Sequence, residues 1–330
     1  MISVKHLTKC YGDVCAVNDL SFEIEEGHVY GFLGANGAGK STTMNIMTGC
    51  LSATSGEVKI DGHDIFEDAA QAKRLIGYLP EHPPLYMTET PEEYLQFVGE
   101  AKGLRGEALQ EQIDDVVRQT GIEHVRGRRI AALSKGYKQR VGIAQALLGN
   151  PKVIILDEPT VGLDPIQIIE IRTLIRDLGK NHTVIFSSHI LSEVQAICDR
   201  ILIISKGKLL AFDEPENLEK SLITPGEISI TTDAPEAAAR ALLERVNHLT
   251  EVKAQMAESN YLTFHLQTDS RELYEISGAI FRAFAGSSYL LLEMSLKRAS
   301  LEDVFIELTE SSDEVSKTED PDTESEVEKA

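Results

Sequence analysis

The chain of 330 residues is 42% apolar and 26% charged with a formal charge of −21, enough for two packed cores or one large domain with an appendage. Its acidity argues against a nucleic-acid ligand, whose affinity draws on clustered Lys and Arg. The longest apolar runs, Val153 to Leu156 and Ile201 to Ile204, are strand-length and far below the ~20 residues of a bilayer crossing; without a signal-peptide pattern at the N-terminus, a cytoplasmic chain is expected.

In chain order, "ISVKHL" and "LSFEIEEG" alternate apolar and polar residues, which predicts an antiparallel β layer beside a parallel core. "HVYGFLG" (28 to 34) is an apolar, β-rich run ending at glycine, and a helical pattern then extends from Gly39 to Gly49, giving strand, loop and helix. "GEVKIDG" (56 to 62) alternates Val58 and Ile60 between glycines and predicts a short exposed strand. From residue 90 the period changes to about 3.6. Thr90 is the expected cap, Pro91 the first helical residue and Glu93 the capping-box partner. A second helix is expected from Gly106 to Thr120 with a stop at Gly121, and a third from near Lys135 to the break at Gly149 to Pro151. Together they predict a helical insertion over about 84–150.

Strands return as "VIILDEP", "TVIFSSH" and "RILIIS", separated by helical stretches, as in a doubly wound α/β core. After Pro225 and Gly226 the pattern restarts as β, α, β, β, α, β, the order of a small ferredoxin-like unit over 225–310. Its last expected helix, "SLEDVFIEL", sets Leu301, Val304, Phe305 and Leu308 on one face. Residues 311–330 hold eight Asp or Glu against two Lys, net −6, leaving −21 − (−6) = −15 for the rest; with no aromatic residue, this reads as a disordered acidic tail. The four cysteines, Cys10, Cys15, Cys50 and Cys198, show no metal-ligand spacing and are expected to be small hydrophobes in a reducing compartment.

Three motifs carry chemistry. "GANGAGKS", Gly34 to Ser41, fits G-x-x-x-x-G-K-S between a strand and a helix. Its glycines let successive N–H groups face a phosphate chain at a helix N-terminus; Lys40 is expected on the β and γ phosphates and Ser41 on Mg²⁺. "VIILDEPT" is an apolar run ending in two carboxylates. Asp157 suits Mg²⁺, directly or through a water, and Glu158 is placed to take a proton from an attacking water; either acid could instead cap the following helix. "SSHILSE" sets His189 just past another strand, where a histidine alone is ordinarily a loop residue. All three motifs fall at strand carboxyl ends, where such sheets collect ligands.

These stretches, with "LSKGYKQR" (133 to 140) between the phosphate loop and the carboxylate strand, resemble the ATP-binding cassette (ABC) family of ATPases over roughly residues 2 to 220. The resemblance implies an α/β P-loop NTPase cassette over 1–220, with parallel core sheet, antiparallel β subdomain and helical insertion. It implies ATP and Mg²⁺ as ligands, with Gly34, Ala35, Asn36, Gly37, Ala38, Gly39, Lys40, Ser41 and Thr42 around the phosphates and His189 on the γ-phosphate. Tyr11 looks like the adenine-stacking aromatic, although a tyrosine there also suits core packing. The family's L-S-G-G-Q signature is matched by Ser134 and Gly136, while Lys135 and Tyr137 depart from it. By resemblance this turn covers the γ-phosphate held by the other subunit of a head-to-tail dimer, with Lys135 at that interface and Asp164 of "GLDP" crossing it. Glu81 occupies the position of a glutamine that touches Mg²⁺ or the attacking water, and the alternative is that it points to solvent.

The "HPPLY" turn after Glu81 resembles the region that helps receive a short cytoplasmic helix of a membrane subunit. The unit at 225–310 resembles, more weakly, the accessory region of ABC-2 type export subunits. The implied function is an ATP-hydrolysing transport subunit that pairs with a second cassette, identical or different, and works on separate polytopic permease subunits, held on the cytoplasmic face of the membrane. The alternatives are a soluble cassette ATPase acting on ribosomes or DNA, and a phosphate-loop kinase or GTPase; the GTPase motif N-K-x-D is missing.

Overall fold

The alternating N-terminal segments form β1 (Ile2–Tyr11) and β2 (Val14–Ile24), an antiparallel pair in the computed structural model, which describes residues 1–221, 226–256, 261–268 and 272–297. β3 (Val29–Leu33), buried throughout, leads through the glycine-rich loop into α1 (Lys40–Met47). β4 (Ser55–Ile60) pairs with β1, and β5 (His63–Asp64) with β4, so the first sheet runs β2-β1-β4-β5. The "GEVKIDG" strand is therefore not exposed as expected: Val58 and Ile60 are fully buried with Ile2, Val4, Leu20 and Phe22. Its alternating pattern marked a strand with one covered face, and the cover comes from elements distant in sequence.

After α2 (Ala69–Arg74) and β6 (Ile76–Leu79), the helical insertion comprises α3 (Pro91–Ala101), α4 (Gly106–Thr120) and α5 (Lys135–Leu147). Thr90 Oγ1 accepts from Glu93 N at 3.3 Å while Glu93 Oε2 accepts from Thr90 N at 2.8 Å, the reciprocal cap read from the sequence. α5 lies directly on β6. A Cβ added at Gly77 would stand 2.2 Å from Ala146 O, and Gln145 Nε2 donates to Tyr78 O at 2.6 Å. The C-terminal end of α5 is capped from α3's side, Lys102 Nζ donating to the carbonyls of Gln145, Ala146 and Leu148.

The chain then alternates β7 (Val153–Leu156), α6 (Pro165–Leu178), β8 (Thr183–Ser188), α7 (Leu191–Ile197), β9 (Arg200–Ser205) and β10 (Lys208–Asp213). The six strands order as β10-β9-β3-β8-β7-β6, parallel except for β10. β3, β7 and β8 are buried at every position, as strands covered on both faces must be. Four neighbouring strands, β3, β8, β7 and β6, thus end on one side of the sheet, followed at once by Gly34, His189 and Asp157 and, after Pro80, by Glu81. These elements form one compact unit ending at Pro215.

A second unit begins at Glu216, within α8 (Pro215–Ser221). β11 (Gly226–Thr232), α9 (Glu236–Leu243), β12 (Leu249–Met256), β13 (Leu262–Thr268), α10 (Leu273–Ala285) and β14 (Leu291–Lys297) give an antiparallel sheet of order β12-β13-β11-β14, the ferredoxin-like order. Its core joins Ile228, Ile230, Phe264 and Leu266 to Leu243, Ile276, Ile280 and Phe284 of the helices. The helix expected around Leu301 to Leu308 and the acidic tail lie outside the described residues. Among the described residues no helix is long and apolar enough to cross a membrane.

The cysteines differ from expectation. The β1–β2 register sets Cys10 opposite Cys15, and the two form a disulfide, while Cys50 is exposed and free and Cys198 buried and free. Hairpin register, not spacing along the chain, decides which side chains face each other.

Candidate active site

The loop Gly34 to Gly39 turns β3 into α1, and its backbone leaves no room for a side chain at Gly39. Gly39 has φ 106°, and a Cβ there would stand 2.4 Å from Ala16 O of β2, so the first sheet presses on the loop's end. Lys40, 6% exposed, donates from Nζ to Gly34 O at 2.8 Å and Ala35 O at 3.3 Å. Nζ also faces Glu158 Oε1 at 3.3 Å, an ion pair between two buried side chains.

Behind Lys40 a hydroxyl network holds the Asp157 carboxylate and the Glu158 backbone. Asp157 Oδ1 accepts from Ser41 Oγ at 3.1 Å and from Ser187 Oγ at 2.6 Å, and Ser187 Oγ in turn accepts from Glu158 N at 2.8 Å. Burial pushes the Asp157 carboxyl above its usual range, partly offset by the two hydroxyls. Glu158 holds φ 47°, a left-handed conformation that costs a non-glycine residue roughly 1 kcal/mol or more and is retained where surroundings dictate it. Its Oε2 stands 3.0 Å from His189 Nδ1.

These groups open onto a cleft of about 500 Å³ lined by Ala16, Asn36, Gly37, Gly39, Lys40, Ser41, Thr42, Glu81, Glu158, Val161 and His189. The structure therefore gathers six of the expected phosphate-loop residues, Glu81, Glu158 and His189 around one space, with Asp157 bonded to Ser41 behind it. Gly34, Ala35 and Ala38 are not among the lining residues; Gly34 is packed against β9, where a Cβ would meet Ile204 O at 2.6 Å. Tyr11 is not among the lining residues; it is 54% exposed, with Lys9 Nζ 5.2 Å from its ring centre. Ser187, which joins the Asp157 carboxylate to the Glu158 backbone N–H, has no local signal in the sequence beyond the hydroxyl run before His189.

Ser134, Gly136 and Asp164 stand apart from this cleft. They line a second, smaller depression with Tyr137, Arg140 and Gln167. Ser134 caps α5 and Asp164 caps α6, their oxygens accepting from Tyr137 N and Gln167 N. Lys135 reaches across Gly162, where a Cβ would stand 2.1 Å from its Nζ. One chain thus presents a phosphate-type cleft and, separately, a helix N-terminus flanked by Ser134.

The family model for the ABC transporter matches residues 17–161. The bacitracin transport ATP-binding protein BcrA of Bacillus licheniformis is 34% identical over 310 residues, covering 93% of this chain and 97% of its own. The chain belongs to the ABC transporter ATP-binding proteins. Along similarly full length, the linearmycin resistance ATP-binding protein LnrL of Bacillus subtilis (strain 168) is 30% identical, with 94% and 98% covered. Among solved structures, the cassette matches a dimeric ATP-binding cassette in a post-hydrolysis state bound to ADP and Pi, at 27% identity and TM-score 0.59, covering 65% of this chain and 98% of that one. The fold is the P-loop NTPase cassette, and the family's activity is ATP binding and hydrolysis in the service of transport.

Proposed function

We propose that this cassette grips Mg·ATP in the Lys40 cleft, is covered there by the Ser134 turn of a second cassette, and uses Glu158 as general base for hydrolysis. The observation that carries this is the separation of the two surfaces within one chain. The cleft has the phosphate loop, acids and His189 but no Ser134, while Ser134 and Asp164 border the other depression. Head-to-tail pairing brings each to the other, and a second copy suffices because one chain carries both.

Lys40 now rests on two backbone carbonyls and Glu158; phosphate oxygens are better partners for an ammonium. Transfer of Lys40 to the nucleotide frees the Glu158 carboxylate to accept a proton from water, with His189 beside it to bond the γ-phosphate. The oxygen-only set of Ser41, Asp157 and Glu81 fits Mg²⁺, a hard cation, and that ion supplies neutralisation of phosphate charge when bound. Tyr11, exposed on the hairpin that touches the loop through Ala16, serves as the adenine platform.

Export is supported by the full-length likeness to a bacitracin transport protein and a linearmycin resistance protein. Separate permease subunits, which would hold the chain at the cytoplasmic face of the membrane, have a fitting surface beside α3. Tyr86, Met87 and Phe97 are about half exposed, and the Tyr86 ring lies 5.2 Å from Phe97 and 5.7 Å from Tyr94. The βαββαβ unit is assigned as the accessory domain of such subunits. Action on ribosomes or DNA finds no support in these relatives.

Steady-state ATPase with Glu158→Gln tests the chemistry. The variant should retain ATP binding and lose about 10²- to 10⁴-fold in turnover; hydrolysis at the wild-type rate would remove Glu158 as the base.

A further inference from the structure

One buried carboxylate outside the cleft has no part in the chemistry above. Glu193, on α7, is 1% exposed. Its Oε2 accepts from Thr160 Oγ1 at 2.6 Å and from Ser188 Oγ at 2.9 Å, and its Oε1 faces Arg172 Nη2 at 3.5 Å. Thr160 and Ser188 are themselves buried, at 5% and 0% exposed.

The partners lie at informative places in the chain. Thr160 is two residues past Glu158 and opens the turn through Val161, which lines the cleft, to Asp164. Ser188 is the residue before His189. Arg172 sits on α6, whose N-terminal cap is Asp164. A single carboxylate therefore joins the loop that carries the base, the loop that carries the histidine, and the helix behind the interface residue. Burying a charge costs free energy unless partners satisfy it, and a buried pair is weak evidence for stability. What it does fix is geometry, since without it the Thr160 hydroxyl would be an unpaired buried donor and the Ser188 hydroxyl would keep only its 3.4 Å contact with Ile190 O.

We propose that Glu193 is a positioning residue for hydrolysis: through Thr160 and Ser188 it sets the Glu158 and His189 loops in mutual register, so that the 3.0 Å approach of His189 to Glu158 and the path to Asp164 are set together. This rests on the assignment of Glu158 and His189 to the hydrolytic step. It makes Glu193 neither a ligand nor a proton carrier, because it does not line the cleft.

The test compares Glu193→Ala, Glu193→Gln, Thr160→Val and Thr160→Ser in ATPase turnover, affinity for a fluorescent ATP analogue, and melting temperature. Glu193→Ala and Thr160→Val should lower kcat by about 10- to 100-fold, the scale of a misplaced group, with nucleotide affinity within about twofold. Glu193→Gln, which keeps an acceptor, and Thr160→Ser, which keeps the hydroxyl, should recover most of the rate. Added to His189→Ala, Glu193→Ala should cost less than it does alone, because the part of its action that runs through His189 is already lost. Should Glu193→Ala fail to fold, the Thr160→Val and Thr160→Ser pair decides alone. Wild-type kcat in folded Thr160→Val or Glu193→Ala, a loss matched by lost nucleotide affinity, or full additivity with His189→Ala would overturn the proposal. If Glu158→Gln also hydrolyses normally, the underlying assignment has failed; if Glu158→Gln is inactive while these variants are not, only the role of Glu193 has.

Discussion

Glu81, expected by resemblance at the place of a glutamine, lines the cleft with Lys40, Glu158 and His189, and, in addition to burial, its charge helps raise the Asp157 carboxyl. A third carboxylate near the phosphates raises the repulsion that a divalent cation must offset, and it offers that cation a harder oxygen than an amide does. Glu81→Gln should therefore shift half-maximal Mg²⁺ for ATPase measurably at fixed ATP; superimposable Mg²⁺ titrations of the two proteins would show that Glu81 takes no part. The gathering of the phosphate loop and strand-end acids at one cleft was legible because both are defined by spacing along the chain. Ser187 was not: its value comes from standing across from β7, where it reaches Asp157 and the Glu158 amide, and no local pattern announces that neighbour.

Among the elements, those with end signals were legible to the residue. α4 runs from Gly106 to Thr120 and stops at Gly121 with φ 66°, and α3 begins with the Thr90 and Glu93 cap. Thr90→Ala should destabilise the cassette by about 1 kcal/mol, seen as a lower melting temperature. The bonds from the Thr90 backbone N–H and hydroxyl hold the Glu93 carboxyl below its ordinary value of 4.5. Its contribution is then full above that value and is lost as pH falls through the lowered one. Wild type and Glu93→Gln should differ in melting temperature at neutral pH and converge in acid; a constant gap would contradict the cap. Elements defined by packing were less legible. Nothing local says that Gly77 admits Ala146 O of α5, or that β4 is covered, because both follow from chain crossings far apart in sequence. The hairpin disulfide belongs here too. Without reductant, native labelling by a maleimide should modify Cys50 alone; unfolding should add the buried Cys198, and only reduction should reveal Cys10 and Cys15. A third reactive thiol in the unreduced unfolded protein would show the pair open.

In the molecule as a whole, sheet order explains why scattered motifs converge. β3, β8, β7 and β6 are neighbours, so residues more than a hundred positions apart in sequence end on one side of the sheet, and the sequence foresaw this only through the general rule for doubly wound sheets. Ser134 lies outside its own chain's cleft, and the proposed function has a second cassette complete the site. Light scattering on Glu158→Gln at saturating Mg·ATP tests that requirement most directly. The mass should rise from that of one 36.3 kDa chain to twice that value, and Ser134→Arg in the same background should return it to one chain while nucleotide stays bound. A protein that remains a single chain when loaded with Mg·ATP, or a pair indifferent to Ser134→Arg, would contradict a nucleotide shared between the Lys40 cleft and the Ser134 turn.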